Sequence, residues 1–133
     1  MKKTLIIVAI IIFLNACGKS SGTGTTTPVA EPNIAFSINA TDNSIAVGTS
    51  FPITVTLTSA MPSSSGIKIE ATVVDQTNTQ TVTQNAAATS TSAVNTFTLI
   101  NLPKGHWCTA TIKVSSVKTT TNAASKSFTV ANK

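Results

Sequence analysis

The sequence predicts an all-β domain over residues 33–133, an antiparallel β-sandwich of about seven to eight strands. Three observations carry that expectation. Large apolar residues alternate with small or polar ones in successive runs, the period-two pattern of half-buried strands. Turn-forming clusters fall between the runs: Asp42-Asn43-Ser44, Val47-Gly48-Thr49, Met61-Pro62-Ser63, Pro103-Lys104-Gly105 and Thr121-Asn122. No stretch beyond residue 17 carries an apolar repeat of helical period.

In chain order, residues 1–17 come first and read MKKTLIIVAIIIFLNAC. Lys2 and Lys3 precede an unbroken apolar run from Leu5 to Leu14, followed by Asn15, Ala16 and Cys17. Charge, apolar core and small residues in that order make a secretory signal peptide, helical in its apolar part. A membrane-spanning helix needs about 20 apolar residues, roughly twice this run. A buried core helix is set aside because no amphipathic pattern continues past Cys17. Leu14-Asn15-Ala16-Cys17 resembles the lipobox of bacterial lipoproteins. The resemblance implies that the Cys17 thiol takes a diacylglyceryl group and that cleavage makes Cys17 the first residue. Its amine is often acylated as well in that family. Each buried CH₂ contributes about 0.8 kcal/mol and stable anchoring takes at least two signals, so two or three acyl chains would hold the protein on a membrane without spanning it. Gly18 after the Cys resembles lipoproteins sent to the outer membrane rather than retained, in a cell that has one.

Residues 17–32 then form the lipidated Cys and a Gly/Ser/Thr/Pro tether, GKSSGTGTTTPVAEP after Cys17. Val29 is its one large apolar residue, too little to offset chain entropy. Such a flexible segment spans roughly 20 Å on average. Gly18-Lys19-Ser20-Ser21-Gly22 matches the G-x-S-x-G nucleophile elbow, which needs a strand before it and a helix after it. Neither is expected here.

From Asn33 the expected strands are 34–40, 44–47, 51–58, 67–74, 78–84, 95–100, 107–115 and 124–131. Ile53, Val55 and Leu57 alternate with Thr54, Thr56 and Thr58; Ile67, Ile69, Ala71 and Val73 alternate with Lys68, Glu70, Thr72 and Val74. Cys108, Ala110, Ile112 and Val114 repeat the pattern, and Phe128 and Val130 close it. Threonine on the outer positions suits a pleated surface. The inner faces of 51–58, 67–74, 95–100 and 107–115 are expected to build the core. Residues 75–96 are weaker, with Val82 and Val94 as the only large apolar side chains. An edge strand near 78–84 and a mobile loop near 85–92 are expected there, and polar edges of this kind are open to strand pairing.

Asn101-Leu102-Pro103-Lys104-Gly105-His106-Trp107, followed by a strand, resembles the E–F corner of fibronectin-III-like and other Ig-like domains. The resemblance implies an Ig-like antiparallel sandwich, and the length of 33–133 is close to the roughly 100 residues of that architecture. In the letter scheme of those folds the expected strands are A, A′, B, C, C′, E, F and G. In those families a Tyr near the corner bonds back to the loop, and this chain has Trp107 instead. Trp107 is out of phase with Cys108, so either a bulge turns it inward or it lies partly exposed on the outer face.

Composition narrows the chemistry. Only 10% of residues are charged, against about 25% in an average chain, while Thr, Ser and Asn supply 50 of 133. There is no Arg and no Tyr, and one His and one Trp. Beyond residue 16, seven lysines face four acids, a net +3, and they are scattered without interleaved aromatics. That is not a nucleic-acid footprint. With Cys17 lipidated, Cys108 is the remaining thiol and reads as a small buried hydrophobe. His106 and Cys108 lie on one face roughly 7 Å apart, beyond proton-transfer reach, with no evident orienting acid, so His106 is expected to be solvated. Glu70 and Asp75 fall on opposite faces of one strand. Asp42-Asn43-Ser44 is explained by an Asx-turn more simply than by a cation site. No enzyme, cofactor or metal is expected. The expectation is a membrane-anchored binding or adhesion module of the cell envelope, with Lys104, His106 and Trp107 as candidate contacts for an envelope protein or polymer. A structural subunit of an envelope assembly, associating through edge strands, is the alternative.

Overall fold

The computed structural model describes residues 29–133. The signal peptide, Cys17 and most of the tether lie outside the described residues. Nine strands follow in order: β1 (Phe36–Ile38), β2 (Ser44–Ala46), β3 (Phe51–Leu57), β4 (Ile67–Asp75), β5 (Thr81–Val82), β6 (Ala88–Ser90), β7 (Val94–Leu99), β8 (Trp107–Ser116) and β9 (Ala123–Asn132). They form a three-stranded sheet, β1-β3-β7, and a six-stranded sheet, β2-β9-β8-β4-β5, with β6 also paired to β4. All pairings are antiparallel except β2 with β9, which is parallel.

The alternation read from the sequence becomes the core. Ile53 and Val55 of β3, Ile67 and Val73 of β4, Leu99 of β7, and Ala110, Ile112 and Val114 of β8 are fully buried between the two sheets. β9 joins them with Phe128 and Val130, and Ile34, Phe36 and Leu102 close the core at its margins. Removing one Ile or Val side chain of this kind from water contributes about 1.5–3 kcal/mol. Threonines take the outer positions, as expected from their β-branching.

The margins differ from the expectation. The segment 34–40 forms a strand only at Phe36–Ile38, because the chain then leaves β3 and crosses to the other sheet to make β2. The segment 78–84 shrinks to Thr81–Val82, because residues 76–80 are consumed by a tight hairpin. There the Thr79 N–H donates to the Asp75 carbonyl (2.8 Å), Gln80 N–H donates to Asn78 Oδ1 (2.9 Å), and Thr79 has φ 60°. The loop expected at 85–92 contains a strand, β6, which pairs its Ala88–Ser90 with Ile67–Ile69 of β4. The chain leaves β4 between β5 and β6 because Gln84 is held elsewhere. Its amide accepts from the Ile100 N–H (2.9 Å) and donates to the Ile100 carbonyl (2.8 Å).

Those Gln84 bonds lie on a sheet edge. Just before β7 the Ala93 carbonyl accepts from Leu57 N–H, which turns the backbone groups of even-numbered residues 94–100 away from β3. Gln84 satisfies Ile100, and the Ser92 hydroxyl satisfies both groups of Val94. On the β9 edge, Asp42 Oδ1 accepts from the Thr129 N–H (3.0 Å). The Asx-turn expected at Asp42 is therefore corrected: its carboxylate is spent across the chain, not on its own turn. Lys126, between Ala124 and Phe128 on the inward-facing side of β9, stays exposed. An inward lysine on an edge strand opposes pairing with another chain.

The strands run between two poles. The chain arrives at one, where Asn122 accepts from the Ile34 N–H (3.1 Å) and donates to the Pro32 carbonyl (2.9 Å). We refer to this pole as proximal. At about 3.3 Å per residue, β8 and β9 carry Trp107 and Asn132 about 30 Å away, to the distal pole.

Candidate functional site

The distal pole is built around the end of β9. Trp107 pairs with Ala131, Ile45 of β2 pairs with Ala131 from the other side, and Lys104 bridges to Asn132. The Gly105 N–H donates to the Asn132 carbonyl (2.6 Å). The Asn132 side chain, in a residue 4% exposed, donates through Nδ2 to the Leu102 carbonyl (2.8 Å). Leu102 N–H in turn donates to the Thr49 carbonyl (2.9 Å). Asn132 therefore holds the corner at 101–106. Trp107 is released from it.

Trp107 points outward. Its neighbours in β4 and β9 keep unbroken register along β8, so no bulge turns it inward. It is half-buried, and Lys133 Nζ sits over its ring at 5.8 Å from the centroid, within cation–π range. Ala131 lies between Trp107 and Ile45 on the same outer face and is covered. Two strand spacings separate Trp107 from Ile45, about 10 Å. Ile45 is 45% exposed, and Val47, at the turn that follows, is 93% exposed. Val47 follows β2 directly and bridges to Ser50 across the turn. Gly48, at φ 72°, supplies the backbone conformation that turns the chain after Val47.

The expectation that His106 lacks an orienting acid is overturned, although its side chain stays 36% exposed. Its Nδ1 lies 2.6 Å from Asp75 Oδ2, and the Asp75 side chain is only 4% exposed. Asp75 also accepts from the Thr77 N–H through Oδ1 (2.8 Å). The His106 hydrogen bond, with help from Thr77, holds the Asp75 carboxyl below the usual aspartate range. The partner was hidden because Asp75 ends a strand that reads as core, and its 31-residue separation from His106 is bridged only by the β4–β8 pairing.

Asp75 also stands in register opposite Cys108. Cys, His and Asp thus approach one another, yet the chemistry runs against a nucleophile. Cys108 is 1% exposed, and burial together with the Asp75 charge pushes its thiol up. A reactive cysteine needs the opposite shift. Among the described residues, no three His, Cys, Asp or Glu side chains come together as a metal-ligand set. Glu70 lies on the outer face with Lys68 (2.7 Å) and Lys113 (4.0 Å), opposite to Asp75 as expected.

Of the three expected contacts, Lys104 and Trp107 flank the end of β9, while the His106 ring is committed to Asp75. Ile45, Val47 and Lys133 join the surface and had not been expected. A Val-Gly pair reads only as a turn, and nothing local to residue 133 points to Trp107.

No protein-family model matches the chain, and no curated protein or solved structure is significantly similar to it.

Proposed function

We propose that the chain is an exported lipoprotein, anchored through acyl chains on Cys17, that carries an Ig-like, non-enzymatic binding module on the cell envelope. The observation that carries the binding reading is the polarity of the domain. The chain comes in at the proximal pole, and Val47, Trp107, Lys104 and Lys133 gather at the opposite one. A tether of roughly 20 Å then leaves that pole free to meet a partner.

The Ig-like part of the reading draws support from strand order. β1-β3-β7 and β2-β9-β8-β4-β5 correspond to A-B-E and A′-G-F-C-C′, with the first strand divided between the two sheets. The lipoprotein part rests on the lipobox alone. Outer membrane rather than inner is the placement the Gly18 resemblance favours. Assembly through edge strands is the weaker reading, because Gln84, Ser92, Asp42 and Lys126 occupy or guard the open edges.

The decisive test is metabolic labelling with a fatty-acid analogue, combined with protease treatment of intact cells carrying a tag after Lys133. Label that enters the wild type and is lost in Cys17→Ser supports the anchor. Equal labelling of both removes it. Cleavage of the tag on intact cells puts the domain outside; protection until the outer barrier is opened puts it in the periplasm.

A further inference from the structure

The distal pole combines two features. One is exposed aliphatic surface, Val47 at 93% and Ile45 at 45%, at and beside a turn that nothing in the fold covers. The other is cationic charge. Lys104 is exposed, Lys133 lies over Trp107, and among the described residues neither is in an ion pair. Of the side-chain carboxylates toward this end, Asp75 is buried and bonded to His106 and Thr77, while Asp42 is exposed, lies on the β9 side and accepts from the Thr129 N–H.

From this juxtaposition we propose that the distal pole docks on an anionic lipid bilayer, with Val47 and Trp107 entering the interfacial layer and Lys104 and Lys133 meeting lipid phosphates. This deepens the anchored-module reading and rests on it for the presence of a first membrane.

The arrangement suits that occupant physically. A Trp ring with one polar edge settles at the level of the headgroups. Lysines within reach of an anionic surface are attracted by its potential. Ile45 lies two strand spacings from Trp107 on the same outer face, so the apolar contact has width rather than a single point. Val47 extends beyond both at the turn, and a tip of this shape enters a soft interface without rearranging the sheet. A soluble polyanion would satisfy the lysines but would leave Val47 in water. Charge alone therefore does not account for the pole, and apolar surface alone does not account for the two unpaired lysines.

The test uses the full chain held by its N-terminal region in zwitterionic lipid nanodiscs, mixed with sedimentable vesicles of either phosphatidylcholine or phosphatidylcholine with phosphatidylglycerol. The disc occupies the anchor, so binding to the vesicle reports on the domain. Discs should sediment with the anionic vesicles and stay behind with the neutral ones. Each lysine near such a surface is worth about fivefold in partitioning, so the double variant Lys104→Ala/Lys133→Ala should lose about thirtyfold at low salt. Val47→Asp, at an exposed position, should abolish sedimentation while leaving the melting temperature unchanged. Equal sedimentation with neutral and anionic vesicles overturns the proposal, as does Val47→Asp binding like wild type. Soluble polyphosphate that binds the domain with no sensitivity to Val47→Asp overturns it in favour of a polyanion partner. Disc incorporation is read separately by flotation. A chain that fails to join the disc refutes the anchor, and its wild-type and variant forms are then compared free in solution on the same vesicles.

Discussion

The two poles of the domain solve different problems with the same small polar residues. At the proximal pole, side chains tie down backbone. Asn122 binds the incoming segment at Pro32 and Ile34, and the Ser116 hydroxyl accepts from the N–H groups of Lys118 and Thr119 (3.2 Å each). At the distal pole one residue, Asn132, does the tying from within, and the larger side chains are left facing out. The difference teaches that in a chain so poor in charge, buried or half-buried Asn and Ser take over the clamping. That frees Trp107, Val47 and the lysines from a structural task.

The comparison can be broken most severely at Gly66, on the proximal side. It has φ +82°, and a Cβ there would lie 2.2 Å from the Ser90 carbonyl oxygen. Gly66→Ala should cost about 2–5 kcal/mol from backbone strain and overpacking together, read as a drop in denaturation midpoint. A change within about 0.5 kcal/mol would show that the β6 segment shifts freely, contrary to its pairing with β4.

Next in size is Asn132→Ala at the distal pole. It leaves the buried Leu102 carbonyl without its donor, worth about 1–3 kcal/mol. If Asn132 is the clamp, this variant should speed amide exchange at Leu102, whose N–H donates to the Thr49 carbonyl, and Trp107→Ala should not. The reverse pattern would return the corner to Trp107. Asn122→Ala removes the bonds to Pro32 and Ile34 and should cost about 1 kcal/mol. Its signature is local: faster amide exchange at Ile34 with little change in β8.

Asp75 gives a pH prediction. Its carboxyl is held below the usual range in the folded protein by His106 and Thr77. A depressed carboxyl contributes stability that is present above the unfolded value and lost as pH falls through the folded one. Wild-type stability should therefore fall more steeply than that of Asp75→Asn below the ordinary aspartate range. Parallel curves through acid would mean that the pair contributes nothing to folding. Trp107→Ala removes a cation–π contact worth about 0.5–1 kcal/mol at an exposed site, together with the burial of part of the ring. Its loss should show in vesicle binding before it shows in thermal melting.

Much of the fold was legible because a sheet with one buried face writes itself as alternation. Ile53 to Leu57, Ile67 to Val73 and Cys108 to Val114 place their apolar members inward as the period requires. Phe36 and Val82 lie in strands expected over 34–40 and 78–84, which the structure shortens to three and two residues, while Ala88 begins a three-residue strand too short for a period to be counted. β6 was hidden for that reason and because its Ala-Thr-Ser sequence carries no large apolar side chain. Of the candidate surface, Lys104 and Trp107 were found through a turn motif, which is local information. Ile45, Lys133 and Asn132 were not, since they come to the Trp107 and Leu102 end only through the parallel pairing of β2 with β9 and the β8–β9 pairing.

By itself the sequence determined the all-β class and the inner face of each long strand. These depend on hydrophobic period and composition, which act along the chain. Tertiary structure alone decided that His106 meets Asp75, that Asn132 clamps the corner at 101–106, and that Lys133 stands over Trp107. Each depends on register between distant strands, which is set by how the two faces pack and by how far each turn displaces the chain.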